Sequence, residues 1–495
     1  MKHTFISLYA AAALLLLSLT AAPVAVAASA DEEDTPQTEH DAYLIGGIYY
    51  LLDDETMTAA VTFENYYEDK SGELIYNADE PYEGDIVVPA TVEHGGQTYD
   101  VTAIGPAAFA QSYNVTSVSL PESITSIGKF AFYYCESLAS LTLPETVTSI
   151  GKGAFEVCMS LESINIPKGI TVIEPWTFGH CYALPHVDIP EGVTAIGDNA
   201  FYGCCVMPSI VIPEGITTIE PWTFAHCEML TDITLPTHLE SIGECAFAYC
   251  DILPTINFPS TLTTLGKGAF GSCLALDDVT LPAGMTVLDD HTFYGCESLT
   301  HIAIPESVGY VGVCAFYGCL ALPEVQLPAG LTTINDHTFY GCFSLPGIQL
   351  PAGITSIGEQ AFACCAQLKT IDLPAGVESI GKSAFANCVS LTSIVSRPIV
   401  PPTCAAQVFV EVDEDVCKVF APEASLEAYR TAYGWRDFYQ FEPLEHMTDG
   451  VQTPTLPTQA AAETYDLFGR HHSAALGGVA IERTATGQAR KVLKF

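Results

Sequence analysis

Apolar residues return along this chain in a fixed cadence of 23 positions, with polar residues held between them. Phenylalanine marks the beat thirteen times without an insertion, at Phe109, Phe132, Phe155, Phe178, Phe201, Phe224, Phe247, Phe270, Phe293, Phe316, Phe339, Phe362 and Phe385. An Ile, Leu or Val stands five residues before each Phe, twelve prolines recur from Pro121 to Pro374, and twelve cysteines from Cys135 to Cys388. A strict period of this length is the signature of a repeat solenoid, in which each coil buries its apolar side only against its neighbours. In the coil around Phe155, Leu141 and Leu143 alternate with Thr142 as a half-buried strand requires, and Pro144 ends the strand by removing a donor. One strand per coil in a parallel sheet is therefore expected, with a Phe contributing about 1.5–3 kcal/mol of burial in each.

Gly lies four residues before most of the phenylalanines, as at Gly128, Gly151 and Gly197, where a positive φ at the corner is the expected reason. Four coils depart from this: Ile173 to Phe178, Ile219 to Phe224, Leu288 to Phe293 and Ile334 to Phe339 replace that Gly by Glu174, Glu220, Asp289 or Asn335. The same four exchange the Ala before Phe for Thr, and the linkage predicts a second corner geometry.

The repeat is flanked by other material. Residues 1–30 combine Lys2 and His3, an apolar run from Ala10 to Leu17 and small residues before Asp31, the pattern of a secretory signal peptide. Residues 31–99 read as a β-rich N-terminal cap, 100–396 as thirteen coils, and 397–446 as a C-terminal cap with a helix from Pro422 ended near Gly434. A Thr-, Pro- and Ala-rich linker over 447–462 leads to a tail, 463–495. No segment after the leader has the ~20 uninterrupted apolar residues of a membrane span.

The unit Leu-Pro-x-x-Val-Thr-x-Ile-Gly-x-x-Ala-Phe-x-x-Cys-x-x-Leu resembles the leucine-rich repeat of BspA-like surface proteins of Bacteroidetes, over roughly residues 100–395. The tail, with Tyr465, Asp466, Gly469 and Arg470, is similar to C-terminal sorting signals of the Por (type IX) secretion pathway, and departs from them at Ala480. The resemblance implies a secreted or cell-surface, outer-membrane-associated protein that adheres to a host or bacterial surface protein or glycan. It carries over no catalytic residue.

Charge narrows the partners. With 17 Lys and Arg against 59 Asp and Glu, the net charge is −42, which repels phosphate backbones and excludes nucleic acid as a partner. Of the 18 cysteines, the twelve on the beat would stack as buried thiols, while Cys404 and Cys417, thirteen apart across an expected hairpin, form the disulfide candidate. His180 and His226 fall two coils apart, as do Asp289-Asp290 and Asn335-Asp336, too far for one metal ion, so no metal site or cofactor is expected. No nucleophile elbow, phosphate loop or zinc-protease motif occurs, and the chain reads as non-enzymatic.

What remains is recognition, or a spacer role without a ligand. The outward row of the strands, from Ser119 and Thr142 to Gln349 and Asp372, is small or polar and holds few anchors. The position after each Phe is richer, with Tyr133, Tyr202, Tyr294, Tyr317 and Tyr340, the last three on consecutive coils. These five tyrosines are the expected ligand-binding residues.

Overall fold

The computed structural model describes residues 42–63, 66–68, 74–76, 82–447, 478–483 and 489–494. The leader over 1–30 and the tail residues Tyr465, Asp466, Gly469 and Arg470 lie outside them. The repeat forms a parallel β-solenoid of about 15 turns, so the expected architecture holds. All thirteen phenylalanines are inside, and their rings stack nearly parallel, for example Phe201 on Phe224 at 5.5 Å between centroids.

Most coils form two short strands rather than one. The first ladder runs through the Ile five before Phe, pairing Ile127 with Ile104 and Ile150. The second runs through the Leu-x-Leu segment, pairing Leu141 with Ile164. The extra strand escaped the sequence reading because it is two residues long, too short to show alternation.

Gly before Phe serves close approach, not a positive φ. A Cβ on Gly128 would lie 2.5 Å from the carbonyl carbon of Gly105, and one on Gly381 2.5 Å from the nitrogen of Glu359. That proximity lets the Gly128 N–H donate to the Ile104 carbonyl at 2.7 Å, a bond repeated by Gly151, Gly197 and their counterparts. Glu174, Glu220, Asp289 and Asn335 carry the forbidden Cβ, and the first ladder is interrupted at the entry to each of their four coils. The Asn335 side chain bridges part of its gap by donating from Nδ2 to the Val311 carbonyl at 2.6 Å. The linked Thr is explained too: buried Thr177, Thr223, Thr292 and Thr338 each donate a hydroxyl to the carbonyl of that non-Gly residue, at 2.6–2.8 Å. A second corner geometry is thus present, with spacing rather than φ as its cause.

The second ladder is interrupted by a different residue. In regular coils the residue seven after Phe donates to its counterpart below, as Glu162 does to Ala139 at 2.8 Å. Pro185, Pro208, Pro254, Pro323 and Pro346 occupy that place in five coils and have no N–H to give. The breaks in the ladder fall at these five steps.

Both caps continue the coil. Val61 pairs in parallel with Ile104 and Ile86 with Val118, so the N-terminal segment supplies a preliminary turn whose Tyr82 ring covers Phe109 at 5.1 Å. At the other end Phe409 stacks on Phe385 at 5.7 Å as a fourteenth beat. A short helix, Leu426–Thr431, follows a 3-10 turn, Glu423–Ser425, and brings Tyr429, Trp435 and Phe438 to close the column. Gly434 ends this segment at φ +83°, as its place after the helix suggested.

The hairpin expected between Cys404 and Cys417 does not form. Cys404 takes the Ile position of the first ladder, paired with Ile380, whereas Lys418 after Cys417 joins the second ladder opposite Ser393. Both thiols are buried and free. In the tail, Gly478–Arg483 and Ala489–Lys494 form an antiparallel hairpin.

Candidate functional site

The corner carrying Phe is built from two left-handed residues, two before and two after the aromatic ring. Trp176 at φ 61° and His180 at φ 60° flank Phe178 in this way, and even β-branched Val157 adopts φ 62°. The strain of such residues is held by hydrogen bonds to the next coil: Trp176 N–H donates to the Asp198 carbonyl, Phe178 N–H to Ala200, and His180 N–H to Tyr202. With Phe turned inward, the side chains two before, one after and two after it are presented along one edge of the coils.

Three of the expected tyrosines form a strip there. Tyr294 and Tyr317 stack at 4.8 Å and 14°, Tyr317 and Tyr340 at 4.5 Å and 4°, all half-buried. Gly295, Gly318 and Gly341 beside them are left-handed, at φ 69–71°. Each ring face is covered by its neighbour, so the strip offers ring edges along most of its length. Tyr340 also shares a side-chain hydrogen bond with the Cys364 thiol.

The other two tyrosines stand apart from the strip. Tyr133 packs edge-on against Tyr134 at 4.5 Å and Phe130 at 5.4 Å. Tyr202 sits at the centre of a cluster that sequence reasoning missed, within 5.7 Å of Trp176, 6.3 Å of Trp222, 5.0 Å of His180 and 5.2 Å of His226. The signal is present in the sequence: Trp176 and Trp222 occupy one repeat position, two before Phe, inside two of the variant corners. Burial, helped by the nearby His226, lowers the His180 pKa, and burial alone lowers that of His226. Two coils before Tyr202, half-buried Glu156 takes the tyrosine position, and burial pushes its pKa up to about 7.

Among the described residues, no three His, Cys, Asp or Glu side chains converge to hold a metal ion. No helix of these residues is long and apolar enough to cross a membrane.

Coils of this period, stacked on a Phe column with an aromatic edge, define a leucine-rich-repeat solenoid. The model of the BspA type leucine rich repeat region matches residues 102–231, 217–319 and 286–400, and the chain belongs to that family. A leucine-rich repeat protein from Bacteroides ovatus is similar at 30% identity and TM-score 0.57, over 81% of this chain and 99% of its own. A leucine rich cell surface protein from Faecalibacterium prausnitzii is similar at 30% identity and TM-score 0.47, over 73% of this chain and 95% of its own. No curated protein matches.

Proposed function

We propose that this chain is a non-enzymatic recognition protein, secreted or held at the cell surface, that adheres to a host or neighbouring-cell protein or glycan through the Phe-corner edge of its coils. One observation carries the reading: half-buried aromatic rings outside the core gather on that edge, from Tyr133 through Tyr202 to Tyr340, while most outward strand positions are small or polar, as at Ser140, Asp278 and Thr280. Aromatic side chains of this kind give contact area with few rotamers to immobilise, and they dominate binding hot spots. The leader over 1–30 and the sorting-like tail support delivery outside the cell.

The test is a glycan and matrix-protein array probed with the purified protein and with a Tyr294→Ala, Tyr317→Ala, Tyr340→Ala variant. A saturable interaction that survives moderate salt is expected, weakened in the variant. If no ligand on the array saturates, the chain is a spacer.

A further inference from the structure

The coils from Phe155 to Phe247 differ from the rest of the edge. Just beyond their corners Met159, Tyr182, Val206, Met229 and Ile252, one per coil on five consecutive coils, are exposed at 36–50%. Beside this row lie Trp176, Tyr202 and Trp222, half-buried and on successive coils. Trp176 stacks on His180 at 6.0 Å and 24°, and Trp222 packs against the buried cluster of Ala225, Cys245 and Ala248, so each indole rests on its own corner. Against Tyr202 the two indoles are tilted by 49° and 52° rather than stacked like the later tyrosines, so the tyrosine ring does not cap them face to face. The indole N–H groups of Trp176 and Trp222 and the Tyr202 hydroxyl have no protein partner among the described residues, and none of the three is sealed from solvent. Between positions 153 and 252 there are nine Glu and four Asp against one basic residue, Lys168.

We infer that this edge docks a proline-rich, basic polypeptide segment in the polyproline II conformation. Three features fit that occupant together. A polyproline II helix repeats every three residues with a rise of ~3.1 Å, so prolines at i and i+3 lie ~9.3 Å apart on one side. Trp176 and Trp222 are two coils apart, roughly 9.6 Å at the strand spacing, and can each take one of those prolines with Tyr202 between. Such a helix makes no internal hydrogen bonds, so its carbonyls accept from the open indole N–H and hydroxyl donors, and its stiffness keeps the entropy cost of docking low. Lys or Arg at the intervening positions meets Glu174, Glu220 and Glu244, and its head can lie over an indole face. These rings are not those of the Tyr294–Tyr340 strip, and the inference survives the failure of that strip.

Intrinsic fluorescence tests it directly. Of the three tryptophans, Trp435 is fully buried in the C-terminal cap, so a ligand-dependent shift reports on Trp176 and Trp222. The purified protein is titrated with a synthetic peptide repeating Pro-Arg-Ala, with Gly-Arg-Ala and Pro-Glu-Ala repeats of equal length, and with a chitin oligomer. Saturable binding of the first is expected, about tenfold or more tighter than any other. Trp176→Gly and Trp222→Gly, read by calorimetry, should each weaken it about tenfold or more. Gly suits the left-handed backbone and already stands at this repeat position in Gly153 and Gly268, so the fold is retained. If a variant melts early, Tyr202→Phe keeps the ring, and a several-fold loss is then expected from the missing hydroxyl. Equal binding of the Gly-Arg-Ala peptide, tighter binding of Pro-Glu-Ala or chitin, no saturation by Pro-Arg-Ala, or undiminished affinity in the variants would each overturn the proposal.

Discussion

Each of the twelve cysteines on the repeat does one identical job. Its thiol donates to the carbonyl of the Phe in the coil below, from Cys135 to Phe109 at 3.2 Å through Cys388 to Phe362 at 3.1 Å. That carbonyl also accepts a backbone N–H within its own coil, as Phe132 does from Cys135 at 3.1 Å, so the thiol supplies its second donor while filling the dry core as a small apolar group. Burial raises the pKa of every one of these thiols above its ordinary value of 9.0. Because the folded pKa is raised, the contribution to stability is complete below pH 9 and is lost as pH climbs toward the folded value. Unfolding should therefore set in steeply on the alkaline side, each thiol costing about 1.4 kcal/mol per pH unit. A urea midpoint unchanged between pH 8 and pH 11 would refute it. With all 18 cysteines free, a thiol reagent should label Cys205, Cys314 and Cys364 first in the native protein and all 18 after denaturation. A count of 16 on denaturation would restore the Cys404–Cys417 pair.

At the scale of the element, the period, the strand alternation and the thirteen inward rings were legible because each rests on a residue type repeated many times. The role of Gly was not, since a Gly needed for its φ and one needed for lack of a Cβ look alike in a sequence. The four variant coils settle the matter: where Glu, Asp or Asn replaces Gly, the ladder opens and a Thr hydroxyl fills in at the corner. Gly381→Ala, inside the unbroken run from Thr333 to Cys404, should cost about 1–3 kcal/mol because its Cβ meets backbone at 2.5 Å. Glu174→Ala, at a step already open, should change stability by less than about 0.5 kcal/mol. Matched denaturation curves separate these outcomes, and equal costs would deny the close-approach role. The candidate site was half legible for a related reason. Tyr294, Tyr317 and Tyr340 repeat at one position and were found, whereas the Trp176–Tyr202–Trp222 group mixes two positions and comes together only when consecutive coils are stacked.

For the whole molecule the question is how a stack of coils stops. A coil with nothing above it exposes an entire apolar face and two rows of unpaired strand groups, which invites a second copy to continue the column. The chain prevents this at its C-terminal end with two rings on Phe409, Trp435 and Phe438, backed by Tyr429 against Trp435, and Trp435 anchors them by donating from Nε1 to the Pro402 carbonyl at 2.9 Å. Tyr429 adds a hydroxyl bond to the Pro398 carbonyl at 2.9 Å, so the cap is tied to the segment that leads into the last beat. Truncation after Ser396 removes all of this and uncovers Phe385 and Cys388, both fully buried in the intact chain. Light scattering of the truncated protein should show concentration-dependent self-association, whereas deletion of residues 463–495, beyond the cap, should leave the protein monodisperse with its melting temperature unchanged. If the truncated chain stays monomeric and melts at the same temperature, the segment after Ser396 is an appendage and the column is closed by Phe385 itself.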